Sequence, residues 1–126
     1  MGEKMTAVRV LLVDDVEEAR RDLCTALTLS GNIEIGGEAA NGLEAFCLTE
    51  SLQPDVVIMD LGMPIMDGYE ATRRIKSNFP ACRVVALTVH DYESARTKAI
   101  LAGVDAFLVK GASVESIVQT ISKPKE

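Results

Sequence analysis

The chain has 126 residues, the size of one domain, and a chain of that length buries about two-thirds of its unfolded surface without disulfides or a structural metal. Its hydrophobic share is 48% and its charged share 25%, ordinary for a globular domain, and no run approaches the roughly 20 apolar residues of a membrane span. The net charge of −6 argues against nucleic-acid binding by this segment, because phosphate contacts need clustered Lys and Arg.

In chain order, residues 1–7 lack the apolar core of a signal peptide and read as a flexible N-terminus, which sets the expectation of a cytoplasmic chain with no membrane attachment. Val8 to Val13 is apolar and β-branched and ends in Asp14-Asp15, a buried strand with two carboxylates at its carboxyl end. From Val16 to about Ser30, Val16, Ala19, Leu23, Ala26 and Leu27 follow helical spacing, and Gly31 supplies a stop. Ile33 to Ala39 alternates loosely, as an edge strand does. Asn41 is placed to cap a helix from Gly42 to about Ser51, with Leu43, Phe46, Cys47 and Leu48 expected inward.

Val56 to Met59 is a four-residue apolar run between Asp55 and Asp60, the pattern of a parallel strand buried on both faces. Asp67 and Glu70 have the form of a capping box for a helix reaching about Asn78, which Pro80 stops. Arg83 to Thr88 is a fourth strand ending in a hydroxyl. A helix over about Tyr92 to Ala102 carries Ala95, Ala99 and Ile100 at helical spacing and closes at Gly103. Asp105 to Lys110 is a fifth strand ending in an amine, and Ser113 caps a last helix with Val114, Ile117, Val118 and Ile121 inward. Residues 122–126 read as a tail or the start of a linker, so the domain spans 8–121. Cys24, Cys47 and Cys82 are odd in number and widely spaced, and they read as free thiols.

Strands alternating with helices in this way specify an α/β fold, a doubly wound (βα)5 domain with a parallel five-stranded sheet in the flavodoxin-like order 2-1-3-4-5. Its switch point falls between strands 1 and 3, where ligands bind in such sheets. Asp14, Asp15 and Asp60 end those two strands, and Thr88 and Lys110 end the next two along the same edge. A lone Asp after a strand is usually a cap or loop residue; five functional strand ends at one crevice are a far more specific pattern. Three carboxylates at close range repel, and a hard divalent cation relieves them. All-oxygen ligands suit Mg²⁺, which bridges carboxylate and phosphoryl oxygens. Lys110 offers a point positive charge and Thr88 a donor, both suited to phosphoryl oxygens. Together with the cation and Lys110 the three acids balance to a neutral site, and Asp60 is the candidate nucleophile, forming an aspartyl phosphate.

Val13-Asp14-Asp15, Asp60-x-x-Met-Pro-x-Met-Asp-Gly68, Leu87-Thr88 and Phe107-x-x-Lys110 together resemble the receiver domain of two-component response regulators, across residues 8 to 121. The resemblance implies that Asp60 takes a phosphoryl group from the phosphohistidine of a sensor histidine kinase. It further implies Asp15, Asp60 and the Gly62 backbone carbonyl as direct Mg²⁺ ligands, Asp14 acting through water, and Thr88 and Lys110 holding phosphoryl oxygens. Thr88 and Phe107 match the family's switch pair, although strand position alone makes Phe107 a core residue. Such a chain is a phosphoacceptor signalling domain, limited to self-phosphorylation and slow autodephosphorylation. Its expected partners are a histidine kinase, its own output domain or a partner protein, and a second copy in a phosphorylation-dependent homodimer.

Glu38-Ala-Ala-Asn-Gly42, Leu87-Thr-Val-His-Asp91 and Phe107-Leu-Val-Lys-Gly-Ala-Ser113 are similar to receivers that precede LuxR-type helix-turn-helix domains, which implies the regulatory half of a transcription factor. Three residues depart from the commonest pattern: Val89 replaces a small residue, Gly111 a frequent Pro, and Gly62 carries no side chain beside Asp60. Three alternatives stand beside this reading. A haloacid-dehalogenase-like phosphatase needs a second Asp two residues after the first, where this chain has Val16 for an Asp14 start; a flavin carrier needs a hydroxyl-rich phosphate loop where this chain has Asp14-Asp-Val-Glu-Glu18. The third is a receiver that serves only for interaction, without phosphorylation.

Overall fold

The computed structural model of the protein describes residues 7–122. The expected flexible N-terminus over 1–7 and tail over 122–126 lie outside these residues, apart from Ala7 and Ser122. Strands and helices alternate: β1 (Val8–Val13), α1 (Glu17–Leu29), β2 (Ile33–Ala39), α2 (Gly42–Leu52), β3 (Val56–Met59), α3 (Gly68–Asn78), β4 (Arg83–Thr88), α4 (Glu93–Ala102), β5 (Ala106–Val109) and α5 (Val114–Ser122). The five strands form one parallel sheet in the order β2-β1-β3-β4-β5, as the alternation required. Within the described residues no helix is long and apolar enough to cross a membrane.

Successive side chains of a strand point to opposite faces, so each central strand feeds two cores. Leu11, Val13, Val57, Met59, Val84 and Ala86 pack against Ala45, Ala71, Ile75 and Ala99 of α2, α3 and α4. Val10, Leu12, Val56, Ile58, Val85 and Leu87 pack against Leu27, Ile117 and Ile121 of α1 and α5. Helices therefore cover both faces, which explains why β1, β3 and β4 read as unbroken apolar runs. The chain changes face on either side of the β1–β3 boundary, and the crevice there is left open at the carboxyl edge.

The caps behave as side-chain chemistry dictates. Asn41 accepts from the Glu44 N–H at 2.9 Å, and Glu44 accepts from the Ala40 N–H at 2.8 Å. Asp67 accepts from the Glu70 N–H at 2.9 Å, but Glu70 does not reach back; it pairs with Arg73 and Arg74. Ser113 accepts from the Ser116 N–H at 3.0 Å.

Some helix faces differ from expectation. The buried stripe of α2 is Gly42, Ala45 and Thr49, so Leu43 and Cys47, one turn-fraction away on the 3.6-residue helix, are exposed. In α4 the stripe is Ala95, Ala99 and Ala102, and Ile100 is rotated out, 66% exposed. Val16 is the N-cap of α1 rather than part of its stripe and is exposed, and Val114, expected inward, is exposed at the first turn of α5. Cys24 and Cys47 are free thiols, as their spacing suggested, and Cys82 is buried in the core.

Ile75 is fully buried. Ile75→Ala is expected to cost about 3 kcal/mol through lost transfer energy and a cavity, whereas Ile100→Ala changes stability by less than about 0.5 kcal/mol. Urea unfolding of the two variants checks both; a comparable loss in each would refute the assignment of the α4 face.

Candidate functional site

Three backbone hydrogen bonds carry the sheet ladder to its carboxyl edge and fix the functional residues there. The Asp14 N–H donates to Ala39 O at 3.0 Å, the Asp60 N–H to Val13 O at 3.0 Å, and the Lys110 N–H to Thr88 O at 2.7 Å. Each of these residues is thus held by the adjacent strand just past the end of its own. The β1–α1 turn is pinned further: the Val16 N–H donates to Asp14 Oδ1 at 2.9 Å, and Arg20 donates to the Asp14 carbonyl at 2.7 Å while pairing with Glu38 at 2.9 Å.

Asp14, Asp15 and Asp60 each bring one carboxylate oxygen into a group whose members lie within 4.8 Å of one another. Asp60 is 8% exposed, Asp14 is 9% exposed, and Asp15 is open to solvent. Lys110 Nζ bridges two of the three, at 2.8 Å from Asp14 Oδ2 and 3.5 Å from Asp60 Oδ2. Asp60 Oδ1 receives only a long contact, 3.4 Å from the Gly62 N–H. Burial pushes the Asp60 carboxyl above its ordinary range and the Asp14 charge adds to this, against the opposing pull of Lys110 and the Gly62 N–H. Burial alone would lower the Lys110 ammonium; its hydrogen bond to Asp14 and the charges of Asp60 and Asp14 outweigh that and raise it. One ammonium therefore serves two carboxylates, and the donor set left over is hard, anionic and all-oxygen. Those residues fit a divalent cation such as Mg²⁺.

The other expected residues are placed differently. Thr88 is fully buried, and its Oγ1 accepts from the His90 N–H at 3.2 Å. A hydroxyl that accepts there keeps its own hydrogen to donate. Phe107 is half-buried against the core on the α2–α4 face, and the Arg96 guanidinium lies 4.7 Å from its ring centroid. Arg96 also pairs with Asp91 at 2.7 Å, which ties Phe107 to the β4–α4 loop that follows Thr88. Gly111, in place of Pro, has φ +104°, a left-handed conformation closed to proline. Val89 is exposed.

Sequence reading missed several neighbours. His90 Nε2 would stand 3.7 Å from a Cβ at Gly62, and the His90 ring meets Tyr92 edge-on at 5.8 Å. Both line a cleft of about 650 Å³ with Gly62, Tyr69 and Lys98. Only the distance of two residues from Thr88 could have pointed to His90. Arg20 and Arg96 sit among ordinary helix-surface charges, and nothing in their spacing distinguishes them.

The raised Asp60 carboxyl carries a stability consequence. A folded-state value above the ordinary 3.8 means that the contribution is fully present below that value and is lost as pH rises through the raised one. Without metal at neutral pH, the uncharged Asp60→Asn is therefore expected to melt higher than the parent. The gap closes as pH falls toward 3.8. Scanning calorimetry across pH in a chelating buffer checks this; a variant that melts lower than the parent at neutral pH would contradict it.

Comparison with known proteins agrees with this geometry. The family model for the response regulator receiver domain matches residues 10–122. The response regulator protein VraR of Staphylococcus aureus is 38% identical over 116 residues, covering 92% of this chain and 56% of VraR. The chain thus spans about half the length of that relative. A crystal structure of a DNA-binding response regulator of the LuxR family from Staphylococcus aureus superposes with TM-score 0.85 at 32% identity, over 90% of this chain and 95% of that one. A chain in the crystal structure of the CheX-CheY-BeF3-Mg²⁺ complex from Borrelia burgdorferi gives TM-score 0.84 at 26% identity, covering 92% of this chain and 87% of that one. With its doubly wound sheet and its acids gathered at the switch point, the chain belongs to the response regulator receiver domain family.

Proposed function

We propose that this domain receives a phosphoryl group on Asp60 in a Mg²⁺-dependent transfer from the phosphohistidine of a sensor histidine kinase in the cytoplasm, and that the aspartyl phosphate switches an output surface. The observation that carries this is the gathering of Asp14, Asp15 and Asp60 within 4.8 Å with Lys110 bridging two of them. An Asp60 oxygen attacks phosphorus, a P–O bond forms, the P–N bond breaks, and its electron pair returns to the leaving imidazole. Bound Mg²⁺ would neutralise charge on the acids and the phosphoryl oxygens. Asp15, Asp60 and the Gly62 carbonyl would hold it directly, and Asp14 through water.

The chain's own residues account for the rest. The ladder bond from the Asp60 N–H to Val13 O fixes the nucleophile at the strand end. Lys110 turns from its two carboxylates to a phosphoryl oxygen, and the Thr88 hydroxyl donates to another as negative charge accumulates. If Thr88 moves toward the phosphoryl group, space opens near β4 and β5 for Phe107 to turn inward. Because Phe107 is linked through Arg96 to Asp91, that movement would repack the face formed by α4, β5 and α5. Two findings support a DNA-binding output: VraR extends well past the matched region, and the superposed LuxR-family regulator is described as DNA-binding. Domain boundaries of 8–121 with a linker beyond fit that output, and a phosphorylation-dependent homodimer fits the repacked face.

Incubation with Mg²⁺ and a small acyl phosphate is expected to add one phosphoryl group by intact mass, and Asp60→Asn to add none. An unchanged gain in that variant would remove Asp60 as acceptor. In the same preparations Mg²⁺ is expected to stabilise the parent by about 2.7 kcal/mol at 100 times Kd. Loss of this shift in Asp15→Asn supports the ligand set, and an equal shift refutes it.

A further inference from the structure

The loop that follows Asp60 carries a backbone conformation its sequence does not favour. Ile65 has φ +70°, and the Met66 N–H donates to Pro64 O at 2.8 Å. A hydrogen bond between residues two apart, around a central residue of that φ, is a strained form of γ-turn. A β-branched residue in the left-handed region is an outlier that persists only where its surroundings enforce it. Burial of Ile65 enforces nothing, since its side chain is 79% exposed.

Two backbone ties supply the enforcement. The Gly68 N–H donates to Leu61 O at 3.1 Å, closing the loop on itself, and a Cβ at Gly68 would stand 2.2 Å from the Asp60 carbonyl oxygen. Across the α2–α3 gap, the Gly42 N–H donates to Met66 O at 2.8 Å. Gly42 is the first residue of α2, so this amide is among those with no partner inside the helix, and the positive end of the helix favours a carbonyl there. The capping contacts of Asn41 and Glu44 hold that end of α2 in place. The approach is too close for any side chain: a Cβ at Gly42 would lie 2.4 Å from Met66 O and 2.9 Å from Asp67 O.

We propose that Gly42 is a positioning residue for phosphoryl acceptance: its amide straps Met66, holds the turn at Ile65 in its strained shape, and so sets the path of Gly62 beside Asp60. This rests on the reading above in which the Gly62 carbonyl is a metal ligand. Leu61 is buried at one end of the short segment and Met66 is strapped at the other, so Gly62 and Met63 have little freedom between them. The strain at Ile65 is held for loop shape, and the strap acts on the site from a different helix.

Linkage gives a test that needs no substitution. If the strap shapes the metal site, Mg²⁺ must tighten the strap in return. Amide exchange in the parent is expected to slow at the Gly42 N–H on saturation with Mg²⁺, and Gly42→Ala is expected to weaken Mg²⁺ binding roughly 10- to 100-fold, the range typical for residues that orient metal ligands. Exchange over residues 66–68 should quicken in metal-free Gly42→Ala. Ile65→Gly, freed of the left-handed penalty, should melt above the parent. A Gly42 amide indifferent to Mg²⁺, in a parent that binds Mg²⁺ and accepts phosphate, overturns the strap alone, as does full Mg²⁺ affinity in Gly42→Ala. A parent that neither binds Mg²⁺ nor accepts phosphate overturns both the strap and the function it serves.

Discussion

The Lys110 ammonium, 2.8 Å from Asp14 and 3.5 Å from Asp60, is the interaction on which the crevice depends. It is the one cation that reaches Asp14 and Asp60 through their side chains among the described contacts, and it comes from the far side of the sheet, two strands away from β3 in sequence order. A single positive charge shared between two carboxylates, with a third beside them, leaves excess negative charge in a partly buried space. Burial and the Asp14 charge both work against ionised Asp60. Under the proposed function such a site takes a cation, and Lys110 is released to the incoming anion once that cation carries the acids.

Parallel strands make the assembly of these groups inexpensive. Each of β1, β3 and β5 stops just before its functional residue, and a ladder bond from the neighbouring strand extends order past the strand end. The apolar faces above and below keep the strands in register, so the side chains at their ends converge without long loops. The exception is the loop after Asp60, where left-handed Ile65 and the close approaches at Gly42 and Gly68 show a path held by its neighbours rather than by its own preferences.

That contrast explains what was legible. Val10 to Val13, Val56 to Met59 and Val84 to Leu87 are apolar on both faces because helices cover both, so they are visible in one dimension, and the acids and hydroxyl that end them mark the crevice. Caps at Asn41, Asp67 and Ser113 were readable because they are local. Helix faces were less so: an apolar residue one position off the stripe, such as Leu43 or Ile100, looks buried until the helix is set against its sheet. Arg20, His90 and Arg96 act through partners distant in sequence or through ring contacts, and their neighbours carry no sign of it. A β-branched residue at position 65 argues against a left-handed turn, so the strain there was invisible.

The most direct test is the titration of the Asp60 side chain itself. Its carboxyl carbon can be followed by NMR across pH, first in chelating buffer and then with saturating Mg²⁺. The account predicts a midpoint above the ordinary 3.8 without metal and a clear fall when Mg²⁺ is present, because a bound cation favours the charged form. A metal-free midpoint at or below 3.8, or one that Mg²⁺ leaves unmoved, would contradict an anionic crevice built to hold a cation against Asp60.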